Sequence, residues 1–198
     1  MSQLDDIRTF FDALAPGWDE KNQHDSAVIS ALLTAAACPK GGRILDVACG
    51  TGVLLPFLLA LEPEALCAID ISPEMVAIAT KKFQDPRIHA ECADFYEYDQ
   101  GPFDLITVYS AYPHFFDKTA FAKQAARLLR PGGRLMIAHS QSKEAINSRH
   151  RDGASPVSVP LRGVSEEAVP LLPCFDLDAM VDNNRLYLLS GTRKEAAV

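Results

Sequence analysis

Five short runs rich in branched and aromatic residues, Arg43 to Ala48, Leu66 to Ile71, Ile88 to Cys92, Phe103 to Ser110 and Arg134 to Ser140, recur along the chain with helical patterns between them. Each reads as apolar on both faces, the pattern of a strand buried within a parallel sheet. The intervening segments carry helix signals: Val53 to Leu61; Pro73 to Phe83, opened by Ser72 as N-cap with Pro73 at the first helical position; and Lys118 to Leu129, closed by Pro131-Gly132-Gly133. This alternation predicts parallel strands joined by crossover helices, hence a doubly wound α/β sheet. Near the C-terminus, Phe175 to Val181 and Arg185 to Thr192 are strand-like runs joined by Asp182-Asn183-Asn184, side chains that tolerate the positive φ of a hairpin turn. An antiparallel hairpin completing a seven-stranded sheet is expected there.

Two helices, residues 3–15 and 24–37, precede the first strand; Pro16-Gly17 splits them, and they are expected to cap the sheet. At 198 residues the chain has room for one domain. We divide it into cap helices over 1–40, a core over 41–151, a possible lid over 152–173 bearing Pro156, Pro160, Pro170 and Pro173, and the hairpin over 174–198. The longest apolar run, Val53 to Leu61, contains Pro56 and falls short of the roughly 20 residues that span a bilayer. The N-terminus lacks a basic stretch followed by an apolar one, and the 5 cysteines form no C-x-x-C pair. A cytoplasmic protein with reduced thiols is expected. The net charge of -7 argues against the basic face that nucleic acid requires. One stretch runs the other way: Arg127, Arg130, Arg134, Lys143, Arg149 and Arg151 face the single acid Glu144, either as a solvated helical face or as a place for an anionic substrate or partner.

The chemistry is concentrated at strand ends. In Arg43-Ile-Leu-Asp46-Val-Ala48-Cys49-Gly50-Thr-Gly52 an apolar strand bearing an acid runs into a glycine turn and then a helix, where backbone N–H groups can approach a ligand. Asp70 falls at the end of the second run, where a carboxylate can accept both hydroxyls of a ribose. Asp94 follows the third run, where it could accept from an adenine amino group with Phe95 packing on the ring. Three acids at three successive strand ends predict one crevice. A nicotinamide-dependent reductase is the competing reading. It would want a third glycine where Leu55 stands, and Asp46 would repel a pyrophosphate.

Taken together these motifs resemble those of the class I S-adenosylmethionine-dependent methyltransferases, over nearly all of the chain from Phe10 to Lys194. Asp46 to Gly52 resembles the first motif, Ala68 to Met75 the second, Ala93-Asp94-Phe95 the third and Phe103 to His114 the fourth; Leu128 to Gly133 resembles the turn before the fifth strand. The resemblance implies a Rossmann-like fold and S-adenosyl-L-methionine as cofactor. It places Asp46, beside the methionine amino group, with Ala48, Cys49, Gly50, Gly52, Asp70, Ile71, Met75, Asp94, Phe95 and Tyr109 around that cofactor. Ala48 stands where glycine is frequent, and Ala111-Tyr-Pro-His114 lacks the Asn-Pro-Pro-Tyr of the amino-methylating DNA branch. The small-molecule branch is the better match, and the N-terminal segment with Trp18 before Asp19 is similar to that of quinone-ring methylases.

Methyl transfer from a sulfonium demands alignment and exclusion of water, with a base optional and no metal required. His114, after the fourth strand, is the candidate base or substrate orienter, and Tyr109 the candidate contact to the transferred methyl. Trp18, Tyr112, His114, His139 and His150 are candidate substrate residues, the last on a polar stripe with Lys143 and Asn147. The expected acceptor is a planar small molecule, such as a quinone-like ring or a phenol, held by aromatic walls around Phe10, Phe11 and Trp18. A scaffold that binds the cofactor without catalysis is the third reading.

Overall fold

Parallel strands need crossover connections, and the chain supplies them. The computed structural model describes residues 3–151 and 157–195, with the backbone alone for His150 and Arg151. Strands β1 (Arg43–Val47), β2 (Ala65–Asp70), β3 (Ile88–Cys92), β4 (Phe103–Tyr109), β5 (Leu129–His139), β6 (Phe175–Asp182) and β7 (Tyr187–Arg193) form one sheet in the order β3-β2-β1-β4-β5-β7-β6. The first five run parallel; β7 pairs antiparallel with both β5 and β6. The helices are α1 (Gln3–Leu14), α2 (Trp18–Lys21), α3 (Ser26–Ala35), α4 (Leu55–Leu59), α5 (Pro73–Lys82), α6 (Lys118–Leu128), α7 (Lys143–Arg151) and α8 (Val164–Ala168). Among the described residues no helix is long and apolar enough to cross a membrane.

Strand alternation sends successive side chains to opposite faces, giving two cores. Ile44, Leu66, Leu105 and Met136 pack against Ile29 and Leu32 of α3 and Leu55 and Leu58 of α4. Leu45, Val47, Ile106 and Val108 pack against Phe121, Ala125 and Leu128 of α6. Caps start the helices where the sequence says they should: Ser72 Oγ accepts from Met75 N at 3.1 Å, and Asp117 accepts from Ala120 N at 2.8 Å.

Three expectations change. β3 is not apolar on both faces: it is the sheet edge, and His89 and Cys92 are exposed there, polar blunting that edge strands commonly use. Helix α6 ends before Pro131-Gly132-Gly133, because Leu129 is already extended (φ -82, ψ 149) and opens β5. The Pro-Gly-Gly segment instead fills an irregularity within β5, where the register jumps from Phe103↔Leu129 to Leu105↔Arg134. The hairpin turn uses no positive φ at residues 182–184; Asn183 Oδ1 closes it by accepting from Arg185 N (2.8 Å) and Leu186 N (3.0 Å). In the lid range, residues 157–173 carry α8 and bond to the body through Val159 N and Pro113 O, while 152–156 lie outside the described residues.

Candidate functional site

Strand order reverses between β1 and β4, so their carboxyl ends diverge and leave a crevice. A cavity of about 410 Å³ occupies it. The turn after β1 forms its floor, and its two glycines do different work. A Cβ at Gly50 (φ 55) would meet nothing within 4 Å, so this residue presents bare backbone to the cavity. A Cβ at Gly52 (φ 88) would lie 2.7 Å from Phe83 and 2.8 Å from Leu55, so this glycine serves close packing away from the cavity. Ala48, in the same turn, is held at φ 54, a left-handed conformation in which a side chain costs about 1–2 kcal/mol.

Asp70 at the end of β2 is only 7% exposed and accepts from Gly50 N (2.8 Å) and Ser72 N (2.9 Å). Burial pushes its carboxyl up, and these two bonds oppose the rise. Each carboxylate oxygen retains acceptor capacity toward the cavity. Asp94, after β3, accepts from Tyr96 N at 2.9 Å and shares the wall with Ile71, Met75 and Cys49. The Cys49 thiol is pushed up by burial. Phe95 borders the cavity while its ring packs against Phe121 and Phe115, 5.2 and 5.7 Å between centroids.

Asp46 is not on the wall. Its side chain alternates to the face of Ile44, is 2% exposed and accepts from Thr107, its register partner on β4, at 2.7 Å. Burial raises its pKa to about 7, the Thr107 bond opposes this, and Asp70 adds to it. The place expected for it beside the cofactor's amino group is not on the cavity lining.

The roof is amphipathic α1, which turns Leu4, Ile7, Phe10, Phe11 and Leu14 to the cavity. It is clasped to the floor by Arg8 Nε donating to Ile71 O (3.2 Å) and by Ser72 Oγ donating to Asp12 (2.5 Å). Trp18 and Lys21 of α2 continue the roof, and Asp19 ties α2 to Thr51 and to Lys82.

The opposite side, at the ends of β4 and β5, is lined by polar groups that include no described acid. The Tyr109 phenol sits between His24 Nδ1 (2.9 Å) and Ser140 Oγ (2.7 Å). Burial pushes the Tyr109 phenol up. Burial pushes the His24 imidazole down, the Arg149 guanidinium adds to that, and Asp19 opposes. His114 also lines the cavity, edge-on to Phe11 at 5.0 Å. Its Nδ1 lies 2.8 Å from the Val157 carbonyl, which can only accept, so Nδ1 is the donor of that bond. His139 borders the cavity too, 2% exposed and edge-on to Tyr187.

Tyr112 leaves the list of substrate residues: it is 0% exposed, packs on Phe121, and has the Lys118 ammonium 3.6 Å from its ring centroid. The short 3₁₀ turn Tyr112–His114 points its first residue into the core and its last to the cavity. The expected polar stripe on α7 also faces elsewhere. Lys143 pairs with Asp182 at 3.0 Å, and Asn147 clamps the backbone N–H and carbonyl of Leu161, both at 2.8 Å. From α7 the cavity receives Ile146 and Arg149 instead; the His150 side chain lies outside the described residues.

The basic run resolves into separate contacts. Arg130 pairs with Asp104, Arg134 with Asp178 and Lys143 with Asp182, while Arg127 bonds to Gln124 and the Tyr98 carbonyl. Arg149 alone among the described side chains of that run has no hydrogen-bond or ion-pair partner among the described residues. His24 and Arg149 are two of several polar cavity residues that sequence reasoning did not select as site residues. The available signal was weak: a histidine beside the Asp25 N-cap, and an arginine one helical turn from Ala145 and Ile146.

A model of the methyltransferase domain matches residues 44–133. The chain is similar to the demethylmenaquinone methyltransferase of Chlorobaculum parvum, 31% identical over 136 residues, which cover 64% of this chain and 56% of that protein. It is likewise similar to the ubiquinone/menaquinone biosynthesis C-methyltransferase of Geotalea daltonii, 31% identical over 158 residues, 73% of this chain and 67% of that one. The chain thus spans between about half and two thirds of the length of these relatives. Among solved structures, the DhpI–SAH complex superposes with a TM-score of 0.77 at 20% identity, covering 98% of this chain and 97% of that one. With the glycine turn and the Asp70 and Asp94 carboxylates inside the matched stretch, the chain belongs to the class I S-adenosylmethionine-dependent methyltransferases.

Proposed function

We propose that this protein transfers a methyl group from S-adenosylmethionine to a small planar acceptor, a quinone-like ring or a phenol. The observation that carries the reading is the bare backbone face of Gly50 beside two cavity carboxylates, Asp70 and Asp94, at consecutive strand ends. These residues fit the cofactor. Asp70 has acceptor capacity for a ribose diol, Asp94 for an adenine amino group, Ile71 and Met75 offer apolar flanks, and Gly50 admits the methionine end without a side chain in the way.

The cofactor supplies an activated methyl group; the chain's own task is to align the acceptor and keep water out. The aromatic roof of α1 and Trp18 excludes water and gives a ring acceptor its walls. His114, held by its Nδ1 bond to the Val157 carbonyl, borders the cavity as the base or substrate orienter. Tyr109, held by His24 and Ser140, is positioned rather than free to swing, and faces the space where the methyl group travels. The names of the relatives above support a quinone-type acceptor. The net charge of -7 speaks against nucleic acid, and cysteines that are all free suit a cytosolic protein.

The test is incubation with methyl-labelled S-adenosylmethionine and a metabolite extract spiked with hydroquinones and phenols, followed by mass spectrometry. Labelled small molecules are expected. Label in tRNA or protein with none in small molecules contradicts the acceptor class, and binding without any transfer favours the scaffold reading.

A further inference from the structure

We propose that the acceptor is anionic, a hydroxylated ring whose carboxylate is held by Arg149 while its hydroxyl meets the Tyr109–Ser140–His24 cluster. This rests on the methyltransferase reading and adds the charge of the acceptor to it.

The first observation is the polarity of the cavity. Among the described residues its only carboxylates are Asp70, at the end of β2, and Asp94, just past β3. The opposite end, past β4 and β5, holds His24, Tyr109, Ser140, Gln141 and Arg149 with no acid among the lining residues. The second is that Arg149, unlike the other described cations of its sequence run, has no hydrogen-bond or ion-pair partner among the described residues. Arg130, Arg134 and Lys143 each have an aspartate, whereas no described acid is paired with the guanidinium that borders the cavity. A planar guanidinium at a cavity rim is suited to a bidentate carboxylate. The third is spacing. Ile146, one turn before Arg149 on α7, gives the ring an apolar contact, and Phe11 and His114 offer edges from the roof and from β4.

A carboxylate could come from either of two molecules, since the cofactor's methionine end also carries one. The strand order assigns them differently. Arg149 lies on α7, which follows β5, and its guanidinium acts on His24, the partner of Tyr109 at the end of β4 and of Ser140 past β5, whereas the glycine turn follows β1. The β1 turn has its own cavity cation in Lys21, on the helix that Asp19 ties to Thr51. Arg149 therefore belongs to the acceptor.

Arg149 is also coupled to His24. The groups that face His24 are Tyr109 from β4, Ser140 from the end of β5, Arg149 from α7 and Asp19 from α2. The guanidinium helps hold the imidazole neutral. A carboxylate seated on Arg149 cancels that charge, so its arrival makes the imidazole more basic.

The experiment uses protein loaded with S-adenosylhomocysteine and titrates 4-hydroxybenzoate against 4-hydroxybenzamide by calorimetry, in the wild type and in Arg149→Gln and Arg149→Lys. The acid is expected to bind about tenfold or more tightly than the amide, because a charge-assisted bidentate pair is replaced by a neutral contact. Arg149→Gln removes the preference, Arg149→Lys restores part of it, and affinity for S-adenosylhomocysteine stays unchanged in both. The imidazole shift of His24, followed by NMR, titrates at higher pH when the acid is bound and in Arg149→Gln. Equal binding of acid and amide, no binding of either at millimolar concentration, or a preference that survives in Arg149→Gln overturns the proposal. So does a loss of S-adenosylhomocysteine affinity in Arg149→Gln, which gives the guanidinium to the cofactor. Should the wild type not bind S-adenosylhomocysteine at all, the methyltransferase reading fails by itself, and the same titrations on ligand-free protein still decide the role of Arg149.

Discussion

Alanine at Gly50 and at Gly52, two residues apart in one turn, should damage the protein in opposite ways. Both positions have positive φ, 55 and 88, so either alanine carries a left-handed cost of about 1–2 kcal/mol. At Gly50 that is the whole folding cost, since the new methyl group meets nothing within 4 Å. At Gly52 the methyl lands 2.7 Å from Phe83 and 2.8 Å from Leu55, and Leu55 is fully buried, so an overpacking cost of about 1–3 kcal/mol is added. Gly50→Ala should therefore lose about 1–2 kcal/mol and Gly52→Ala about 2–5 kcal/mol in urea unfolding of the ligand-free protein. Calorimetry with S-adenosylhomocysteine should rank them the other way. The Gly50 methyl occupies the face that the cofactor approaches, and affinity should drop about tenfold or more, whereas folded Gly52→Ala should bind more nearly as the wild type does. If Gly50→Ala binds normally, the bare backbone is not a cofactor surface; if the two variants are equally stable, the contact with Phe83 and Leu55 does not have the weight assigned to it.

Asp46 gives a pH signature. Its folded pKa, about 7, lies above the ordinary 3.8, so between these values the folded state holds a proton that the unfolded chain has lost, and the stability it contributes falls as pH rises from 3.8 through about 7. The slope approaches about 1.4 kcal/mol per pH unit, and Asp46→Asn should flatten it in urea midpoints measured across that window. Ala48→Gly should relieve the left-handed alanine at φ 54 and stabilise the protein by about 1 kcal/mol, read as a Tm rise of about 2–4 °C; a lower Tm would contradict the strain. Tyr109→Phe removes the phenol between His24 and Ser140, which are themselves 3.5 Å apart, and should cost about 1 kcal/mol of stability but much more in turnover, with S-adenosylhomocysteine affinity kept within a few-fold. Parallel losses in all three would make Tyr109 a packing residue only.

What could be read from the sequence, and what could not, divides along a physical line. Features set by neighbouring residues were legible: the Ser72 cap with Pro73, the glycine turn after Asp46, and the acids that follow β2 and β3. Features set by which way a side chain faces were not. Asp46 sits in the right motif, yet strand alternation turns it toward Thr107 and away from the cavity. Tyr112 and His114 share one turn of 3₁₀ helix, and only the three-dimensional path of that turn sends one inward and the other to the ligand side. On α7 the helical period correctly placed Lys143 and Asn147 on one face, but that face meets Asp182 and Leu161, partners from distant parts of the chain. His24 was least legible, because its value depends on the N-terminal segment folding over β4 to reach Tyr109. The partners of the basic run were hidden for the same reason, since the aspartates that pair with it come from β4 and β6 rather than from α7 itself.

The central claim is that the crevice between β1 and β4 is a site for S-adenosylmethionine. Calorimetric titration of S-adenosylmethionine, S-adenosylhomocysteine and NADH into the wild type and Asp70→Ala tests it most directly. Both sulfur compounds should bind and NADH should give no heat, and Asp70→Ala should weaken the two about tenfold or more through loss of charged hydrogen bonds to the ribose. Binding of NADH without the sulfur compounds, or an Asp70→Ala variant that retains full affinity, would contradict the account.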